Sequence, residues 1–242
     1  MRKLTNFLLL SALAAVTLSS CLEEGESDNR RGSYGFFTVG QRNPMTNIYT
    51  LYCDNGGRIE PTIESVMSMT KSEKGLDAYE RLYVEFLYHD TDVTTENDIQ
   101  VVHNADMQYA LVLPTGIAYP PSATVEIEKI TDKDSICNIT TIKDLWAYGG
   151  YINVGVYGPY YKERPTMSLY CDSVNTDFAH LRLCYNRHDS KNSLGSDTYY
   201  SSFRLQFLQP SIPGNDTVNV VLSADGVADK KIRIARRDFT RN

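Results

Sequence analysis

Four histidines, His89, His103, His180 and His188, are the side chains best suited to acid–base chemistry in this 242-residue chain. Two of them have a carboxylate as sequence neighbour, in His89-Asp90 and His188-Asp189. A base and the carboxylate that orients it must meet in space, and adjacent residues on strand ends or loops do not supply that geometry. The sequence contains neither a GxSxG nucleophile elbow nor an HExxH zinc helix. Asp90, Asp92, Glu96 and Asp98 could gather oxygen ligands around calcium, but their spacing lacks the glycine of an EF-hand loop. Asp132 and Asp134 read in the same way, as solvated charge. No catalytic residue, no metal site and no cofactor is therefore predicted, and the chain reads as a non-enzymatic protein.

The cysteines divide into one and four. Cys21 comes after a basic start (Arg2, Lys3), an apolar stretch from Phe7 to Val16 too short to span a bilayer, and the small residues Ser19-Ser20. This order resembles a bacterial lipobox, at which the cysteine thiol is diacylated and the preceding peptide removed. Residues 1–20 are then a lipoprotein signal peptide, and Cys21 carries the lipid that holds the protein on a membrane. Each buried methylene contributes about 0.8 kcal/mol, so several acyl chains anchor it without a transmembrane helix. Residues 21–32 are polar and glycine-containing and read as a flexible acidic tether. The acidic start resembles an export signal to the cell exterior, or is simply solvated charge. The expected location is the outer membrane, lipid-anchored. Of Cys53, Cys137, Cys171 and Cys184, the pair Cys171–Cys184 lies on two apparently adjacent strands and is the best candidate disulfide. The alternative is that all four are small buried apolar thiols.

Two further groups could carry binding or modification. Trp146, Tyr148, Tyr151, Tyr157, Tyr160 and Tyr161 crowd around one hairpin. Residues two apart on a strand share a face, so Ile152, Val154 and Val156 should face a core. Tyr151, Asn153 and Tyr157 should then face outward, with both tyrosines more than about a third exposed. Such a surface could stack on sugar rings, whereas cross-strand aromatic packing would explain the same composition. Asp134-Ser135-Ile136, Asp172-Ser173-Val174 and Asp216-Thr217-Val218 fit a pattern used for O-glycosylation, which makes Ser135, Ser173 and Thr217 candidate acceptors.

The elements that must position these residues are strands. Seventeen tyrosines against one tryptophan, with many Val and Thr, favour extended structure. Period-two runs recur from Tyr34–Val39 and Arg81–Tyr88 through Thr140–Ala147, Tyr151–Tyr157, Thr166–Cys171 and His180–Tyr185 to Lys231–Ala235. Turn signals such as Asn55-Gly56-Gly57 separate them. About a dozen short strands imply an all-β protein. The polar run at 132–135 marks the best boundary, giving domains 33–133 and 134–242, with one large β domain as the alternative. Removal of residues 1–20 leaves 22 basic residues (24 − 2) against 30 acidic ones, a net charge of −8. An acidic chain without a basic stripe excludes nucleic acid as the expected partner.

The order of segments carries a resemblance. Lipobox, acidic tether, a first β unit ending in VEIEKITDKDS, then IKDLWAYGGYINVGVYG, LRLCYNRHDS and SFRLQF together resemble the NigD-like lipoproteins of Bacteroidota. The likeness is strongest at Asp144-Leu145-Trp146, at Tyr151-Ile152-Asn153-Val154 and at Leu181-Arg182-Leu183. It implies an N-terminal OB-like barrel followed by a C-terminal antiparallel β-sandwich. Val101–Pro121 is longer than that pattern predicts, which puts closure of the barrel in question. The family name implies a bacteriocin-associated setting but no biochemical activity. The expected function is that of an envelope lipoprotein that binds a partner protein or confers protection, or else of a surface glycan-binding accessory protein.

Overall fold

The computed structural model describes residues 29–70, 75–121, 139–175, 178–188, 192–205, 217–235 and 238. Cys21, the signal segment, residues 21–28 of the tether, Cys137, Ser135 and the expected strand Thr124–Ile130 lie outside them, whereas Arg31 and Gly32, expected in the tether, already pair with Tyr88 and Leu87 as the start of a strand.

The N-terminal unit contains strands β1 (Arg31–Arg42), β2 (Tyr49–Cys53) and β3 (Arg58–Pro61), helix α1 (Ile63–Thr70), and strands β4 (Arg81–Tyr88), β5 (Val93–Glu96) and β6 (Ile99–Val112). Pairings β1–β2, β2–β3, β1–β4 and β4–β6 are antiparallel, and a parallel β3–β6 pairing closes the ring. The order β1-β2-β3-β6-β4 is that of an OB-like barrel with its helix between the third and fourth barrel strands. The excess length around Val101 is what closes it. The 14 residues of β6 pair with β5 and β3 near their start and with β4 near their end.

Local sequence explains these elements. Between β2 and β3 the Asn55 Oδ1 accepts the Gly57 N–H at 3.0 Å while Gly56 adopts φ +93°, which tolerates no bulky side chain. Thr62 caps α1 by accepting the Ser65 N–H at 3.2 Å. Val66 on that helix is buried with Phe37, Leu51, Leu82, Val84 and Met107 inside the barrel.

The C-terminal unit is a pair of four-stranded sheets. One runs β10 (Thr166–Val174), β11 (Phe178–Asn186), β13 (Thr217–Ala224), β14 (Lys230–Ala235). The other runs β7 (Thr115–Ile117), β12 (Gly195–Arg204), β9 (Tyr151–Tyr160), β8 (Thr141–Tyr148). Leu169, Leu181, Val220 and Leu222 of the first sheet meet Ile152, Val154, Val156 and Phe203 of the second in one core. Each such fully buried aliphatic side chain contributes roughly 1.5–3 kcal/mol. The expected boundary at 133/134 is corrected by β7, whose residues Thr115–Ile117 already pair with Ser202–Arg204 of β12. The chain leaves the barrel after Val112, about twenty residues earlier than the charged run suggests, because a three-residue edge strand gives little periodic signal.

An aromatic face on the barrel and a locked domain interface

Strand β9 explains what becomes of the expected ligand surface. Ile152, Val154 and Val156 do face the sandwich core, and Tyr157 is 39% exposed. Tyr151 and Asn153, expected outside, are each 1% exposed. The register is the expected one, but the outward face of this sheet lies against the barrel.

At the centre of that interface is Arg81, the first residue of β4, with no exposed surface. Its guanidinium meets the Asp54 carboxylate with two parallel bonds of 2.6 and 2.5 Å. It also donates to Thr38 Oγ1 at 2.8 Å, Asn153 Oδ1 at 2.9 Å and Ser202 Oγ at 3.3 Å. The Tyr151 ring lies under the guanidinium, 5.2 Å from its carbon. Asp54 additionally accepts the Trp146 Nε1–H at 2.8 Å and the Asn153 amide at 3.3 Å. Beside this cluster Glu80 accepts from Arg204 and from the Tyr151 hydroxyl. Arg81, Asp54, Thr38 and Glu80 belong to the barrel, whereas Tyr151, Asn153, Trp146, Ser202 and Arg204 belong to the sandwich. The aromatic hairpin thus joins the domains.

The exposed aromatic surface lies elsewhere, on the outer face of β1, β4 and β6. Tyr34 pairs across the ladder with Glu85, and Glu85 with Tyr109. One pleat along, Phe36 pairs with Tyr83. Tyr34 is 72% and Tyr109 46% exposed. Ring centroids are 6.2 Å apart for Tyr34–Tyr83, 6.4 Å for Tyr83–Tyr109 and 5.4 Å for Phe36–Tyr83. Phe36 continues the series into the sandwich, at 4.8 Å from Trp146 and 5.1 Å from Tyr200. The polar edges are tied down: the Tyr83 hydroxyl donates to Glu85 Oε1 at 3.0 Å and the Tyr200 hydroxyl to Asp144 Oδ2 at 2.9 Å. Burial, then those carboxylates, raises both phenol pKa values, Tyr200 to about 12. Sequence reasoning misses this surface, although the alternation in Arg81–Tyr88 already places Tyr83 and Glu85 on one face.

The remaining candidates are dispersed. His103 bonds Glu60 and Thr94, both at 2.9 Å, on the barrel wall, and His180 packs against Phe178 on β11. Among the described residues no group of three or more His, Cys, Asp or Glu could hold a metal ion. Asp90 pairs with Arg31 at 2.7 Å and Glu96 with Arg58, so these carboxylates already have cationic partners. A groove of about 850 Å³ beside β1, lined by Thr38, Arg42, Tyr52, Asp77 and Tyr79 among others, sets no nucleophile against a base.

The disulfide expectation is corrected. Cys171 and Cys184 are free and buried. The β10–β11 register sets Cys171 opposite Leu181 and Cys184 opposite Ser168, so the two thiols point to opposite faces of the sheet. Cys171 joins the sandwich core, while Cys184 donates to the Tyr170 hydroxyl at 3.6 Å. Of the O-glycosylation candidates, Ser173 is exposed near the end of β10. Thr217 opens β13 half-buried, its hydroxyl accepting the Arg233 Nε–H at 2.8 Å.

No protein-family model and no curated protein matches the chain. Solved structures do share its fold. A protein of unknown function, DUF1344, from Bacteroides vulgatus is 16% identical over 85% of this chain and 90% of its own, with a TM-score of 0.54. A protein described as toxin-related from Parabacteroides distasonis is 17% identical over 86% of this chain and 96% of its own, with a TM-score of 0.57. The all-β architecture is thus one that Bacteroidota proteins adopt.

Proposed function

We propose that this chain is a non-enzymatic lipoprotein of the bacterial outer membrane, anchored through Cys21, whose rigid two-domain body presents the aromatic face of the barrel to an envelope partner. Kinship with the NigD-like lipoproteins, and with it a protective or bacteriocin-associated setting, belongs to the same proposal. The observation that carries it is the contiguous surface of exposed Tyr34, half-buried Tyr83 and exposed Tyr109 on one sheet face. Contiguous exposed apolar patches mark interaction sites, whereas scattered ones do not. Cys21 is the membrane attachment in this reading, and among the described residues no helix is long and apolar enough to cross a bilayer.

Photo-crosslinking in cells tests the reading. Benzophenone placed at Tyr34 or Tyr109 should give an adduct in the membrane fraction, and benzophenone at Leu194, 61% exposed on the sandwich, should not. A Cys21→Ser variant should leave that fraction. Absence of adducts at both tyrosines, or equal labelling at Leu194, would remove the face from the account.

A further inference from the structure

We infer that the face formed by Tyr34, Tyr83 and Tyr109 around Glu85 is a carbohydrate platform that takes an uncharged glycan chain. This rests on the reading of that face as the binding surface and assigns its ligand class. Glu85 decides between a protein and a sugar. It is exposed, stands directly between Tyr34 and Tyr109 across the ladder, and accepts the Tyr83 hydroxyl. A protein partner covering this patch with apolar surface would desolvate a carboxylate that forms no ion pair among the described residues, the nearby Arg30 guanidinium being already bonded to Asp106 at 2.6 Å, which is strongly unfavourable. The cores of protein interfaces are accordingly depleted in charge. A sugar meets the same arrangement differently. Its C–H face lies on an aromatic ring while its hydroxyls donate to the carboxylate, so ring and carboxylate are both satisfied.

Preorganisation and charge point the same way. The rings stand on paired strands, and the Tyr83 hydroxyl is tied to its neighbour, so little side-chain freedom is lost on binding. Tyr34, Phe36, Tyr83, Glu85, Tyr109, Trp146 and Tyr200 include a carboxylate and no cation. Acidic polysaccharides would be repelled by that carboxylate and by a mature chain of net charge −8 (22 basic, 30 acidic residues). The face also differs from the β2–β3 surface by which OB-like barrels commonly bind oligosaccharides.

The single tryptophan supplies the readout, because Trp146 packs against Phe36, with ring planes tilted by 51°, at the end of the aromatic series. Trp146 fluorescence is monitored on the full-length protein during titration with neutral gluco-, manno- and xylo-hexasaccharides and with a galacturonate hexamer. At least one neutral hexasaccharide should change the emission saturably at millimolar concentration, and the galacturonate should not. Tyr109→Ala should weaken binding about tenfold, as expected for loss of one stacked ring, and Tyr157→Ala on the sandwich should leave it unchanged. No response to any neutral hexasaccharide, or equal affinity in a Tyr34→Ala, Tyr109→Ala double variant, overturns the assignment. If crosslinks still form at Tyr34 and Tyr109 in that case, the glycan falls and the binding face stands.

Discussion

Arg81 donates all five of its N–H groups, two to Asp54 and one each to Thr38, Asn153 and Ser202. That complete satisfaction is what lets a guanidinium sit with no exposed surface, since breaking such a buried pair costs about 3–5 kcal/mol. The alternation of Arg81–Tyr88 predicts that Arg81 and Tyr83 point out of the barrel, and they do. Arg81 is nonetheless buried because another domain covers that spot. A period-two pattern says which residues share a face and not what lies against it, and the same limit explains Tyr151 and Asn153. One thiol and one phenol yield a pH prediction. Burial raises the Cys171 pKa from 9.0 to about 11, and burial with Asp144 raises Tyr200 from 10.0 to about 12. The folded state therefore holds these protons more tightly than the unfolded chain, so their stabilisation is complete below pH 9 and lost as the pH rises towards 12. Urea unfolding should show stability falling across that window. A Cys171→Ala, Tyr200→Phe variant should show a smaller fall, and an identical fall would contradict the assignment.

Strand β9 packs on both sides, a pattern that sequence periodicity assigns to a strand covered by two layers only when both faces are apolar. Here one face is aliphatic and the other carries Tyr151, Asn153 and Gly155, which reads as solvent-facing until the second domain is placed. Gly155 lets its cross-strand neighbours Tyr200 and Asp144 close over β9 on this face. A Cβ there would stand 2.5 Å from Tyr200 Cε1 and 3.1 Å from Asp144 Oδ2. Gly155→Ala should therefore destabilise by about 1–3 kcal/mol through overpacking, and it should displace Tyr200 from Phe36 and alter Trp146 emission. An unchanged melting temperature with unchanged emission would show that Tyr200 yields freely. Strands with strong alternation, such as β4, β11 and β13, are legible in the sequence. The short β3 and β7 and the eight-residue α1 are not, because elements this brief are specified by their pairing and caps more than by their own pattern.

At the scale of the molecule, an OB-like barrel and a β-sandwich share a polar lock, which leaves the barrel's aromatic face free. The acidic balance and the all-β composition are accessible to sequence reasoning because each is a summed property. The aromatic face and the lock are not, because the one is assembled from residues between Tyr34 and Tyr109 and the other from residues between Thr38 and Arg204 that only the tertiary fold brings together. The aromatic hairpin accordingly serves union of the domains rather than ligand binding. Scanning calorimetry of the soluble Cys21→Ser protein with and without Arg81→Met puts that role to the test. One cooperative transition is expected, whose midpoint falls by about 6–20 °C when Arg81 is replaced, as for loss of about 3–5 kcal/mol in a chain of this size. Two separate transitions, with that of the sandwich unmoved by Arg81→Met, would contradict it.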